Sequence, residues 1–505
     1  MTELLSRAAR RTGGFLVRPW VLAFAGFFLM SAAWSFASPM STSPDEPSHM
    51  VKAAATARGQ FVNVTTRHQV QGGFEKYWLG YKLPAKYATL DAMSLCFRFQ
   101  EKPATCGKPF GTDDTESVVE TSAGQYNPAY YFPVGLPSLV LPGTSALYGM
   151  RLMSALLNSV LLAGAVAVAA QWRRPGWPML GVLTCATPMV LFLNGTVNPN
   201  GMEASAAVLA WTAALSLVLD PRPDLVVHRT ILLALSGALL ANTRSLGIPW
   251  LGSVLLAAVL LGSRKTLLEL VKRKIVWITG LVVLAGAVLA FLWNNYAASL
   301  TPTVVSFPTL TPGNVSTDVF WNSGSYIAQA VGSLGWLDTP LPPGTLIAWY
   351  GAIGLVALAG LGCGRWREIV VLCVLVVGTV AIPIAAQVLE AKHFGIGWQG
   401  RYILAWAVGI PILGALAVSS RVGFELPQPV EFRVPFASAV ILALAGAGAF
   451  YWSMIRYAHS GFRKYFPGPF QWSPPGGWAV SWLLFLAGAA ALLVAIRRRE
   501  RVRVL

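Results

Sequence analysis

Charge is scarce in this sequence. Only 12% of its 505 residues are Asp, Glu, Lys or Arg, while 55% are hydrophobic, and the mean hydropathy is +0.57. So little charge cannot cover a soluble protein of this length, but it suits helices solvated by lipid. Cysteine is scarce too, at five residues, which excludes a disulfide-framed secreted fold, and no spacing matches a metal site. Acids are the rarer sign, 21 against 38 Lys and Arg. The resulting +17 would suggest nucleic acid if it were gathered on one soluble face, so its placement decides its meaning.

Apolar runs lie near 20–38, 146–171, 177–195, 202–219, 230–243, 247–262, 275–293, 345–362, 369–389, 402–418, 434–454 and 478–496. Most reach the roughly 20 residues that a bilayer core requires. The fold class expected is an all-α polytopic membrane protein of about twelve transmembrane or re-entrant helices, forming one domain over 1–505. The runs at 230–243 and 247–262 are short, and predict tilted or re-entrant half-helices hinged at Asn242-Thr243-Arg244.

Assigning the connections to alternating sides puts 22 Lys/Arg against 8 Asp/Glu on one side, and 16 against 13 on the other. Basic clusters such as Lys272-Arg273-Lys274 and Arg497-Arg498-Arg499 therefore mark the cytoplasm, and nothing argues for nucleic acid. Both termini are expected on that cytoplasmic side. The first run also reads as a cleavable signal peptide ending at Phe36-Ala37-Ser38, but its length favours an uncleaved span.

Three stretches then face outward: 39–143, 294–344 and 455–477, the last carrying Arg463 and Lys464. Cytoplasmic connections are too short to hold a catalytic domain. Cys96 and Cys106 share the first outward loop, where an oxidising environment permits a disulfide. Asn63-Val64-Thr65 and Asn314-Val315-Ser316 match glycan sequons, which mean little if the host is bacterial. Within the first loop, residues 48–58 read as a juxtamembrane helix closed by Gly59, and 60–122 as a small folded region.

Directly after the first span stands Ser43-Pro44-Asp45-Glu46-Pro47-Ser48-His49. Adjacent carboxylates beside hydrocarbon are costly and call for a reason. One reason is local: Ser43, Pro44 and Glu46 make a capping box. The other is chemical, because a carboxylate at the membrane surface can take the proton of a hydroxyl acceptor. Asp45 and Glu46 are the candidate catalytic pair, and helical spacing puts His49 on the face of Asp45.

Arg244 lies between apolar runs, where an arginine faces either an anion or an internal acid such as Glu203. Arg401, in Gly397-Trp398-Gln399-Gly400-Arg401-Tyr402, is either an interfacial anchor or a second anion contact. Lys392 is a weaker candidate nearby, and Gln399 shares the motif. Tyr130, Tyr131, Trp336 and Trp398 serve either a membrane belt or sugar stacking. Arg151 reads as a snorkelling residue.

Ser-Pro-Asp-Glu-Pro-Ser-His after the first span, Asn127-Pro128-Ala129-Tyr130-Tyr131, Asn198-Pro199, Gly335-Trp336-Leu337-Asp338 and Gln399-Gly400-Arg401-Tyr402, in that order, resemble the DUF2142 group of bacterial membrane proteins. That group is similar to the GT-C superfamily of glycosyltransferases, and the resemblance spans about 40 to 500. It implies ten to thirteen spans, an acid in the first outward loop matched by Asp45, and sugar transfer from a polyprenyl-phosphate donor with inversion. It further implies a cell-envelope acceptor, a role for Arg401 in the Gly-Arg-Tyr element, and surrounding membrane lipids. Arabinose or mannose donors are guesses from the Ala/Arg/Val-rich composition. No cofactor is required by this chemistry, and a divalent metal is left open. Asn200 departs from the pattern, since many relatives carry an acid after Asn-Pro. The rival expectation is a transporter or flippase of lipid-linked glycans, with Arg244 lining its path.

Overall fold

The computed structural model describes residues 18–71, 74–297, 305, 307–421, 427–459 and 470–497. Arg463, Lys464, Arg498 and Arg499 lie outside them, as do most of both termini. Each of the twelve apolar runs forms helix. Nine helices among the described residues are long and apolar enough to cross a membrane. They are α1 (Pro19–Ala37), α4 (Gly143–Ala169), α7 (Pro199–Leu219), α10 (Lys274–Tyr296), α13 (Pro343–Cys363), α14 (Trp366–Phe394), α15 (Gly400–Ser420), α16 (Pro429–Ala458) and α17 (Gly477–Arg497). The chain is an all-α polytopic membrane protein, with a small sheet in its first loop.

The other three runs depart from straight spans for identifiable reasons. α5 (Gly176–Cys185) and α6 (Pro188–Asn194) meet at a 65° bend. Pro188 lacks an N–H and holds Thr187 extended, and the Thr187 hydroxyl then caps α6 by accepting from the Val190 N–H at 3.2 Å. α8 (Val226–Ala241) and α9 (Gly247–Leu261) are 16 and 15 residues long. At 1.5 Å per residue each covers about 23 Å, short of a roughly 30 Å core. The turn between them, at 242–246, carries Arg244.

Burial sorts the helices by composition. α7, rich in Ala and Ser on every side, is buried along its whole length, whereas only 17% of the apolar window of α10 is buried. α7 is thus the central post, and α10 faces lipid. The first and last spans, α1 and α17, pack side by side.

One end of the bundle carries the first loop. α2 (Glu46–Ala57) follows the first span and ends before Gly59, whose φ is +76°. Strands β1 (Thr65–Gln71), β2 (Phe74–Pro84) and β3 (Glu116–Thr121) form an antiparallel meander. Tyr81, Leu83 and Val119 turn inward from it, and Lys82 stays outside. Cys96 and Cys106 are bridged, with Cα atoms 6.0 Å apart. Helices α3 (Pro128–Gly135), α11 (Pro312–Trp321) and α12 (Ser323–Gly332) complete this end.

Candidate functional site

The turn between α1 and α2 is held by one buried arginine. Arg151 of α4 donates from Nη1 to the carbonyls of Ser35 and Ser38, at 2.9 and 2.6 Å, and from Nη2 to that of Pro39 at 2.8 Å. These are carbonyls at and just past the end of a helix, which need outside donors. Its Nε and Nη2 meet both oxygens of Glu46 at 2.8 and 2.7 Å, and neither side chain is exposed. The Val197 N–H adds a third bond to Glu46, at 3.1 Å. Glu46, expected beside Asp45 as a catalytic group, therefore has both oxygens engaged inside the wall, and Arg151 does not snorkel. Nor does the capping box form. Helix α2 begins at Glu46, and Asp45 occupies its N-cap without a side-chain cap bond.

Asp45 is left facing outward. Its backbone is left-handed, with φ +61° and ψ +7°, a conformation that Asp tolerates better than most residues. The turn is fixed by the Glu46 N–H on the Ser43 carbonyl at 3.1 Å, and by Asn198 Nδ2 donating to the Pro44 carbonyl at 3.0 Å. The Asp45 side chain is 45% exposed, yet it pairs at 3.3 Å with Arg401, which is 2% exposed. On its open side it lines a cavity of about 840 Å³.

Arg401 spends one nitrogen on this pair. Nη2 also donates to the Tyr402 hydroxyl at 3.4 Å, whereas Nε and Nη1 are buried without a protein partner. Arg244 lies over the face of Tyr402 at 4.7 Å from the ring centre, with Arg401 5.0 Å from the same centre. Two guanidinium groups thus share one aromatic ring. Nη1 of Arg244 donates to Asn200 Oδ1 at 2.6 Å and approaches Glu203 at 3.4 Å, and its Nε is buried and unpartnered. The internal pair with Glu203 is real, and the guanidinium still has a donor to spare. Asn200, the departure from the expected acid, is Arg244's closest partner. Leaving a charged donor unmatched costs about 1–3 kcal/mol or more, and three such N–H groups, Nε and Nη1 of Arg401 and Nε of Arg244, belong to the two guanidinium groups that share the Tyr402 ring.

His49 sits beneath. Its Nδ1 is 2.8 Å from the Tyr131 hydroxyl. Burial pushes its pKa down to about 3; Asp45 pulls it up, and Arg401 and Arg244 push it further down. It is a neutral imidazole that braces the wall. Burial likewise raises the Tyr131 phenol well above its ordinary value.

Of the remaining expected residues, Trp336 fronts the Asp45 cavity and donates from Nε1 to the Ser41 carbonyl at 2.9 Å. Tyr130, Tyr131 and Trp398 are buried and present no open ring face for stacking: Tyr130 bonds Ser154 at 3.0 Å, and Trp398 stands edge-on to Tyr402 at 5.7 Å. Gln399 adjoins Arg401 with its Oε1 buried and unpartnered. Lys392 is exposed in the last turn of α14, and no hydrogen bond or ion pair joins it to the site among the described residues. Arg151, Asn198 and Tyr402 were not singled out from sequence as parts of the site, nor was Glu390, which lies within electrostatic reach of Arg244. Among the described residues no group of three or more His, Cys, Asp or Glu gathers as metal ligands.

A model of a family described as predicted membrane proteins, DUF2142, matches residues 28–410. No curated protein matches the chain. Among solved structures it is similar to ArnT from Cupriavidus metallidurans, crystallised with undecaprenyl phosphate bound. The two are 15% identical with a TM-score of 0.46, over 96% of this chain and 77% of that one.

Proposed function

This chain belongs to the DUF2142 family of predicted membrane proteins, and from that premise we propose that it is a GT-C-type glycosyltransferase. It takes a sugar from a polyprenyl-phosphate donor and passes it to an extracytoplasmic acceptor in the bacterial envelope. The observation that carries this reading is the Asp45–Arg401 pair. A carboxylate open to an 840 Å³ cavity touches a buried arginine that keeps two unmatched donors.

The roles follow from position. The donor phosphate docks against Arg401 and Arg244, whose planar guanidinium groups match it. An acceptor hydroxyl approaches from the cavity, and its oxygen bonds to the anomeric carbon. The carbon–oxygen bond to phosphate breaks, its electron pair leaves on the lipid phosphate, and the hydroxyl proton passes to Asp45. This is one displacement with inversion, through an oxocarbenium-like transition state. The arginines act by stabilising charge that grows on the leaving phosphate. Glu46, Arg151, Asn198 and His49 position the reacting groups.

The charged candidates gather at the loop-bearing end rather than along a path through the bundle, which favours surface chemistry over the transporter reading. Purified protein incubated with a panel of radiolabelled polyprenyl-phosphate sugars tests the proposal. Transfer of label to an acceptor supports it. Failure with every donor, together with flipping of a lipid-linked glycan in liposomes, replaces it with the transporter.

A further inference from the structure

The cavity that opens on Asp45 is walled differently from the arginine side. Neither Arg244 nor Arg401 lines it. Its volume of about 840 Å³ is within the roughly 300–1,000 Å³ of small-molecule sites. Two of its walls repeat one arrangement. Trp336 has the Arg98 guanidinium 4.3 Å from its ring centre, and Arg98 is paired at 3.0 Å with Asp91. Trp78 has Arg67 at 5.5 Å, and Arg67 holds Glu120 through Nε and Nη2, at 2.9 and 2.6 Å. Both tryptophans and both carboxylates line the cavity with Asp45.

The frame around these groups is fixed. Phe99 donates its N–H to Asp338 at 2.9 Å, and Arg456 of α16 donates to the carbonyls of Phe97 and Gln100 at 2.8 and 2.6 Å. The disulfide closes the same segment. Trp336 is tied through Ser41 to the turn that carries Asp45.

This chemistry selects among acceptors. Each of the two arginines is already matched to a carboxylate, and Asp45 adds a third acid, so an anionic acceptor is disfavoured. A bare hydrocarbon chain would strip water from the exposed sides of Asp45, Asp91 and Glu120 and offer them no donor in exchange. A ring with an apolar face and hydroxyl edges satisfies both parts of each wall: the face lies on indole, and the hydroxyls donate to Asp91 or Glu120. We propose that this cavity is the acceptor subsite and that the acceptor is a neutral carbohydrate chain, held between Trp78 and Trp336 with one hydroxyl on Asp45. The proposal rests on the glycosyltransferase reading and names the substrate class of that same site.

The test measures binding, not turnover. Full-length protein in lipid nanodiscs is titrated with neutral oligosaccharides of several lengths, followed by saturation-transfer NMR. Polyprenyl phosphate is titrated separately. Wild type should bind at least one oligosaccharide. Trp78→Ala and Trp336→Phe should each weaken that binding by about 3- to 10-fold, with polyprenyl phosphate binding unchanged. Ala88→Trp, on the cavity wall but outside every pair described, should block it by filling the space, which guards against misfolding in the tryptophan variants. Asp45→Asn should keep it. Polyprenyl phosphate binding without binding of any oligosaccharide overturns the acceptor proposal and leaves the donor reading standing. Binding of a lipid or peptide acceptor that Ala88→Trp abolishes would assign the cavity to that class instead. Oligosaccharide binding without polyprenyl phosphate binding removes the transferase reading and keeps the glycan site.

Discussion

Glu46 holds Arg151 through both carboxylate oxygens, at 2.8 and 2.7 Å, in a place from which solvent is excluded. That pair closes the end of the first span onto the start of α2, and so turns the neighbouring Asp45 outward. Two adjacent acids thus have opposite fates: one is sealed into the frame, the other is presented to the cavity.

Removing one partner of such a pair strands the other charge. Glu46→Ala should destabilise the protein by about 3–5 kcal/mol, and Arg151→Ala comparably. Replacing both, as Glu46→Met with Arg151→Leu, should recover part of that loss. Thermal unfolding in one detergent checks this, and a wild-type-like midpoint for Glu46→Ala would remove the structural role.

Arg244 and Arg401 should separate from the frame by ligand. Hydrogen bonds to charged groups contribute about 1.5–3 kcal/mol, so Arg244→Ala and Arg401→Ala should each weaken polyprenyl-phosphate binding by roughly 10- to 100-fold. Lysine at either position should restore charge but not the planar fork. Direct binding of the lipid phosphate is the measurement, and an unchanged Kd in both alanine variants would sink the anion assignment.

His49 makes stability depend on pH with a definite sign. Its folded pKa of about 3 lies below the ordinary 6.5, so between those values the unfolded chain binds the extra proton. Stability is therefore full above about pH 6.5 and falls as pH drops towards 3, by up to roughly 1.4 kcal/mol per pH unit. A melting series on acidification should show this slope, and His49→Gln should flatten it. Equal slopes in both proteins would contradict the buried neutral imidazole.

Reduction of the Cys96–Cys106 bridge should loosen the segment that carries Arg98 while leaving the arginine side intact. A short closed loop of this size contributes about 2–3 kcal/mol. Cys96→Ser with Cys106→Ser is expected to raise the acceptor KM several-fold, with donor binding unchanged. Equal losses on both sides would mean that the bridge supports the whole end of the bundle.

Local patterns in the sequence carried part of this picture. All twelve apolar runs form helix, because an apolar stretch in lipid has to satisfy its backbone hydrogen bonds within itself. Gly59 ends α2, and Glu203 pairs with Arg244, as residues in neighbouring spans can. What stayed hidden depends on distant partners. Glu46 and Arg151 are 105 positions apart, and Asp45 and Arg401 are 356 apart. Ser43-Pro44-Asp45-Glu46 has the local form of a capping box, but Arg151 captures Glu46 and the helix starts later. The meander in the first loop was missed because its strands mix charges with apolar residues, which blurs the alternation. Tyr130 and Tyr131 read as interfacial because they are aromatic and close to a span, but they are buried because α3 folds back against α2.

The central claim is that Asp45 takes the acceptor proton beside an arginine-held phosphate. It is tested most directly by single-turnover transfer from a labelled polyprenyl-phosphate sugar, wild type beside Asp45→Asn, with donor affinity measured on the same samples. The account predicts a rate loss of at least about 100-fold in the variant, with donor Kd within a few-fold of wild type and unfolding unchanged. Transfer by Asp45→Asn at the wild-type rate would contradict it.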